Sequence, residues 1–108
     1  MKTIVESQVK ENLNKLIRNI IRNYKPEKIV LFGSRARGDE HEGSDVDLML
    51  IKETNKRFID RAPDVIRLNN TPLSLEPVIY TKTEFSKMLN EKNSFVMAIQ
   101  EEGVILYG

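Results

Sequence analysis

Apolar side chains at Val5, Val9, Leu13, Leu16, Ile17, Ile20, Ile21 and Tyr24 recur at spacings of three and four. That stripe predicts an amphipathic helix over about 4–24, with Glu6, Lys10, Asn14, Lys15, Arg18 and Arg22 on the wet face. Lys25-Pro26 ends it, because the residue before a proline is pushed out of the helical region. The pattern then shortens. Residues 28–32 are four apolar residues after a lysine, rich in β-branching and followed by Gly33, which predicts a central strand. Residues 34–37 suit a turn or two of helix closed by Gly38. From Asp45 to Ile51 the period becomes two: Val46, Leu48 and Leu50 face one way, Asp45, Asp47, Met49 and Ile51 the other. Both faces turn apolar beyond Asp47, so this strand is expected in a sheet covered on both sides.

Residues 55–68 carry a weaker helical pattern through Phe58, Ile59, Ala62, Val65 and Ile66, with Pro63 in its middle. A proline belongs in a first turn, so a shorter helix over about 62–68 is expected. Asn69-Asn70-Thr71-Pro72 reads as a turn. Residues 73–80 read as a third strand, Leu73, Leu75, Pro77 and Ile79 on one side and Ser74, Glu76, Val78 and Tyr80 on the other. Pro77 has no N–H and marks an edge or a bulge. Thr81-Lys82-Thr83-Glu84 is a capping-box sequence opening a helix with Phe85, Met88 and Leu89 inward. Asn93-Ser94 caps a last helix, stopped by Gly103, and residues 104–107 form a closing strand. The order α-β-turn-β-α-β-α-α-β predicts a small α/β (α+β) domain.

Composition narrows this picture. At 108 residues the chain fits one domain, 1–108, with one core. Seventeen basic against 16 acidic residues leave a net charge of +1, so no global field favours nucleic acid or an anionic membrane, and phosphate binding needs a local site. There is no cysteine, hence no disulfide framework and no thiolate metal site, which is compatible with a cytoplasmic location. The first residues lack an apolar h-region and do not read as a signal peptide, and no apolar run is long enough to span a membrane.

The candidate chemistry lies in residues 33–51. Asp45 and Asp47 share one strand face, about 6.5–7 Å apart at the backbone. Glu76 is the acid inside the third strand, on its polar face. Three anions pointing together repel unless a cation sits among them. Mg²⁺ prefers carboxylate and phosphate oxygens, and two such ions can hold the attacking and leaving oxygens of a phosphoryl centre. Gly33 lets the backbone approach a triphosphate, Ser34 offers a hydroxyl, and the amides after it open a helical turn that suits an anion. Arg35 and Arg37 stand near enough to add charge. Duller readings stand beside these: acids at a strand start often solvate a loop, and Glu76 could simply blunt an exposed sheet edge. His41 and the acids Asp39, Glu40 and Glu42 read as a solvated loop. Gly33-x-x-x-x-Gly38 is not a P-loop, because Asp39 stands where lysine is needed. Tyr24, Tyr80 and Tyr107 read as packing residues, with self-modification as the alternative.

Gly33-Ser34, ten residues, then Asp45-x-Asp47 resembles the signature of the polymerase-β-like nucleotidyltransferase superfamily. The wording Gly33-Ser34-Arg35-Ala36-Arg37-Gly38 and the block Ser44-Asp45-Val46-Asp47-Leu48 resemble its minimal nucleotidyltransferase (MNT) branch. The strand leading to Tyr80-Thr81 and the ending Glu102-Gly103-Val104-Ile105-Leu106-Tyr107 are similar as well. The resemblance implies a small mixed sheet flanked by helices. It implies a nucleotidyltransferase antitoxin that transfers AMP from ATP, with Mg²⁺, to a tyrosine hydroxyl of a HEPN-domain ribonuclease toxin. It further implies Gly33, Ser34 and Ser44 at the nucleotide, with Arg35 and Arg37 beside them. Asp45, Asp47 and Glu76 would be the metal-binding, catalytic carboxylates. The third acid is commonly aspartate in that family and is glutamate before a proline here. Two alternatives therefore stay open: an antitoxin that neutralises its partner by binding alone, and a transferase for a small-molecule hydroxyl.

Overall fold

The computed structural model describes residues 2–39 and 43–108, with side chains described from residue 8 onward. Glu40, His41 and Glu42, and the side chain of Val5, lie outside the described residues. Helix α1 (Lys2–Tyr24) buries Leu16, Ile17 and Ile20, with Leu13, Ile21 and Tyr24 packed beside them, as the stripe predicts. It ends as Lys25 turns left-handed at φ 54° and places its N–H on the Ile20 carbonyl, ahead of the buried Pro26. The Lys52 ammonium donates to the Tyr24 carbonyl at 2.7 Å, satisfying an acceptor that the helix end leaves open.

The sheet has the order β3-β2-β1-β4. Strand β1 (Lys28–Phe32) lies antiparallel to both β2 (Val46–Ile51) and β4 (Val104–Tyr107). Strand β3 (Leu75–Tyr80) lies parallel to β2 and forms an edge, which is where Pro77 loses nothing by lacking an N–H. The period of two divides the strands between two apolar layers. Ile29, Leu31, Val46, Leu48, Leu50, Leu75 and Ile79 pack with α1 and with α3 (Phe58–Ile66). Val30, Met49, Ile51 and Tyr80 pack with α4 (Lys82–Asn90) and α5 (Ser94–Glu102). Five of the six β2 side chains are buried apolar residues, Val46, Leu48 and Leu50 wholly so, and the expected two-sided cover is present.

One boundary is corrected. Helix α3 begins at Phe58, not near 62, and Pro63 lies inside it rather than in its first turn. The missing amide bond is outweighed by what this helix anchors. Arg61 is 5% exposed. Its Nε donates to the Lys56 carbonyl at 3.0 Å and its Nη1 to the Ile79 carbonyl at 3.1 Å. Its two Nη atoms also grip the Glu84 carboxylate at 2.6 and 3.1 Å. Glu84 is at the same time the reciprocal partner of Thr81 in the expected capping box. One fork thus ties α3, the end of β3 and the start of α4 together. Asn93 caps α5 by accepting from the Val96 N–H at 3.0 Å, also as expected.

Candidate active site

Strand β1 ends by pairing Phe32 with Asp47, and β2 pairs the same Asp47 in register with Glu76 of β3. Asp47 is therefore the centre of three strands at one end of the sheet. Immediately after Phe32, Gly33 turns the chain at φ 77°, ψ −157°, a region open in practice to glycine alone. A Cβ placed on Gly33 would fall 2.2 Å from Asp47 Oδ2, so the glycine is required for this carboxylate to lie against the turn. The short helix α2 (Ser34–Arg37) follows, with the Ala36 and Arg37 N–H groups on the Gly33 carbonyl, both at 3.1 Å. Gly38 closes it in the left-handed conformation. Ser34 and Arg35 open that short helix directly after Gly33.

The electrostatics show which side chains share this space. Burial pushes the Asp47 carboxyl above its usual range, the neighbouring charges of Asp45 and Glu76 push it further, and the Arg37 guanidinium partly offsets them. Asp45 and Glu76 thus both act on Asp47, and so does the charge of Arg37. Asp45 and Glu76 are exposed and Asp47 is half-buried, so the cluster faces solvent at the end of the sheet. Arg37 is itself exposed and lies 3.2 Å from Asp39 and 3.5 Å from Glu102. Those carboxylates raise its pKa, the Asp39 hydrogen bond most. Arg35 points elsewhere. Its Nε and Nη2 donate to the Ser44 carbonyl at 3.2 and 2.8 Å. Ser44 is buried at 8% exposure, directly before Asp45.

The sequence of the family described as polymerase beta nucleotidyltransferase matches residues 14–108, which hold every one of these groups. The chain belongs to this family. A Methanocaldococcus jannaschii protein named as a candidate protein adenylyltransferase is 32% identical over 106 residues, 97% of this chain and 98% of that one. A second from the same organism, with the same description, is 46% identical over 50 residues; the match takes in 46% of this chain and spans about half, 56%, of that relative's length. Among solved structures, a candidate nucleotidyltransferase from Sulfolobus solfataricus superposes with a TM-score of 0.63 at 20% identity, over 94% of this chain and 83% of that one. A toxin–antitoxin structure with AMP-PNP superposes with a TM-score of 0.59 at 22% identity, over 88% and 72%. These two likenesses show the shared fold.

In this nucleotidyltransferase the carboxylates offer only hard oxygen donors, the chemistry a divalent cation such as Mg²⁺ takes. Their mutual repulsion at Asp47 is what such a cation would relieve. Among the described residues no three acid or histidine side chains converge tightly enough to enclose an ion by themselves. Mg²⁺ typically keeps waters and takes substrate phosphate oxygens as further ligands, so an open set fits it. A separate hollow of about 390 Å³ is lined by Val30, Met49, Ile51, Phe85, Ile99 and Ile105. It opens at the other end of the sheet, beside Lys28, and its sole acidic lining residue is Glu27, so it lacks the donors for this chemistry. The sequence reading passed over two features of the site: the contact between Gly33 and Asp47, and the reach of Glu102 to Arg37. Local propensity sets neither: the first depends on the β1–β2 register and the Gly33 turn, and the second joins residues 65 apart in the chain.

Proposed function

We propose that residues 1–108 act as one minimal nucleotidyltransferase domain, an antitoxin that transfers AMP from ATP to a tyrosine hydroxyl of a HEPN ribonuclease toxin. The observation that carries this is Asp47, held against the Gly33 turn and in register with Glu76, with Asp45 two residues away. The names of the M. jannaschii relatives and the AMP-PNP toxin–antitoxin neighbour support the substrate class and the kind of partner. In the reaction, the tyrosine oxygen attacks the α-phosphorus and passes its proton to a carboxylate of the cluster and from there to water. The bond from that phosphorus to the oxygen bridging it to the β-phosphate breaks, and pyrophosphate leaves with the electron pair. Asp45, Asp47 and Glu76 would hold Mg²⁺, as one ion or a pair. The metal supplies charge neutralisation for the attacking and leaving oxygens.

The chain's own part is to place these groups. Gly33 would bring the backbone close to the triphosphate, the Ser34 hydroxyl and the amides of Ser34 and Arg35 would face its oxygens, and Arg37 would contribute charge at the rim. No direct nucleic-acid contact is part of this reading. Among the described residues no helix is long and apolar enough to cross a membrane, and we read the protein as cytoplasmic. The test is co-expression with the partner followed by intact mass measurement. The partner gains whole AMP units beside the wild type and none beside Asp45→Asn/Asp47→Asn.

A second reading is neutralisation by binding alone. It draws on the exposure of Glu76 and on the open spacing of the acids. Under it, the double variant still protects cells when made in equal amount with the partner; under the first reading protection is lost while the complex persists.

A further inference from the structure

We propose that Arg35 is a positioning residue: its guanidinium, clamped on the Ser44 carbonyl, holds the Asp45–Asp47 pair against the Gly33-Ser34 turn and does not bind the triphosphate. The inference rests on the nucleotidyl-transfer reading above. The antiparallel register of β1 and β2 runs from the Lys28–Ile51 pair to Phe32–Asp47. Asp45 lies beyond its last pair. On the β3 side the chain at this point is held, since the Val46 N–H donates to the Ser74 carbonyl at 2.7 Å. On the β1 side Arg35 provides a tie, with Nε at 3.2 Å and Nη2 at 2.8 Å on one carbonyl oxygen. The side chain thus spans the gap where the sheet ladder stops. It fixes the turn carrying Gly33 to the residue directly before Asp45.

A guanidinium that spends both N–H groups of one edge on a half-buried backbone acceptor is spent as a strut. Arg37, two residues on, has the opposite character. It is exposed, among the described residues it pairs with the exposed carboxylates of Asp39 and Glu102, and its charge reaches Asp47. The two arginines of this turn therefore divide the work: Arg35 sets geometry, Arg37 supplies charge.

The experiment compares wild type, Arg35→Ala, Arg35→Lys and Arg37→Ala. It measures kcat and KM for ATP in partner labelling, ATP affinity without metal by calorimetry, and Mn²⁺ affinity by electron paramagnetic resonance. For Arg35→Ala, kcat falls on the order of 10- to 100-fold, the effect of a misplaced catalytic group. Its ATP affinity without metal stays within about twofold and its Mn²⁺ affinity weakens, because the carboxylates are no longer set. Arg35→Lys, which can still donate to the Ser44 carbonyl, recovers part of both; this variant decides the matter if the alanine chain melts below the assay temperature. Arg37→Ala shows the reverse split, with ATP affinity lost first. Loss of ATP affinity in Arg35→Ala by about tenfold, a full decade, with Mn²⁺ binding unchanged would overturn the proposal, as would wild-type behaviour in every measurement. If the wild type labels no partner, the transfer reading fails, and the ATP and Mn²⁺ affinities still decide the role of Arg35.

Discussion

Replacing Gly33 by alanine, with Gly38→Ala as its control, isolates the contact on which the site depends. Both glycines have positive φ, 77° and 82°. A Cβ on Gly38 meets nothing within 4 Å. That variant therefore bears backbone strain alone, about 1–2 kcal/mol for a left-handed non-glycine residue. A Cβ on Gly33 falls 2.2 Å from Asp47 Oδ2 and 3.1 Å from its Cγ. Restoring an ordinary contact distance requires the carboxylate or the turn to move by roughly 1 Å. The backbone pair at Gly33 adds strain of about 1–3 kcal/mol. Gly33→Ala is thus the more destabilised of the two, and for a chain of this size each kcal/mol lowers the melting temperature by about 4–8 °C. Their activities separate. A displacement of about 1 Å at a reacting centre costs on the order of 10²-fold in rate. Gly33→Ala should lose about that much in kcat, while Gly38→Ala stays within about threefold, under 0.7 kcal/mol in the barrier. The assay is partner labelling from labelled ATP, run well below both melting temperatures. Equal losses in the two variants would refute the argument, because strain alone would then account for both.

Three more outcomes are expected. Asp47→Asn removes a half-buried charge that Asp45 and Glu76 repel, so it should raise the melting temperature without metal in a thermal-shift assay, while transfer falls by about 10²-fold or more. Mg²⁺ with a non-hydrolysable ATP analogue should stabilise the wild type, by about 2.7 kcal/mol at a hundredfold excess over Kd; chelation reverses the metal-dependent part, and Asp45→Asn/Asp47→Asn lacks it. The Arg61 hydrogen bonds hold the Glu84 carboxyl down at about 2 from its ordinary 4.5. A lowered carboxylate pKa adds stability above the ordinary value and loses it as pH falls toward the folded one. Glu84→Gln should therefore be less stable than wild type at neutral pH. The gap should be about 1–2 kcal/mol once solvent screening of the partly exposed carboxylate is allowed for. It should close between about pH 4.5 and pH 2 in acid-denaturation curves; a constant gap across that window would show that the ion pair is not its source.

Most of the fold was legible because its periodicities are strong. The stripe from Leu13 to Tyr24 packs as read, the alternation in β2 splits between the two apolar layers, and the Thr81 and Asn93 caps form their expected hydrogen bonds. The α3 boundary was missed for a physical reason. Local propensity disfavours Pro63 inside a helix, while the bonds from Arg61 to Ile79 and Glu84 lie 18 and 23 residues away in sequence and leave no local trace. The site divides similarly. Asp45, Asp47 and Gly33-Ser34 are close in the chain, and their spacing carries the signal. That Glu76 stands in register with Asp47 depends on parallel pairing across α3, which no pattern in residues 73–80 dictates. The two arginines looked alike in sequence. Their separate partners, the Ser44 carbonyl for Arg35 and exposed acids for Arg37, emerge only from the folded chain.

The claim at the centre is that these carboxylates move a nucleotide onto a protein. It is tested most directly by single-turnover reaction of the purified protein and its partner with ATP labelled at the α-phosphate, beside a parallel reaction labelled at the γ-phosphate. The account predicts α-label on a partner tyrosine and no γ-label. It also predicts no transfer by Asp45→Asn/Asp47→Asn, although that variant still forms the complex. Equal labelling by the double variant, or full neutralisation of the partner with no label on it, would contradict the account.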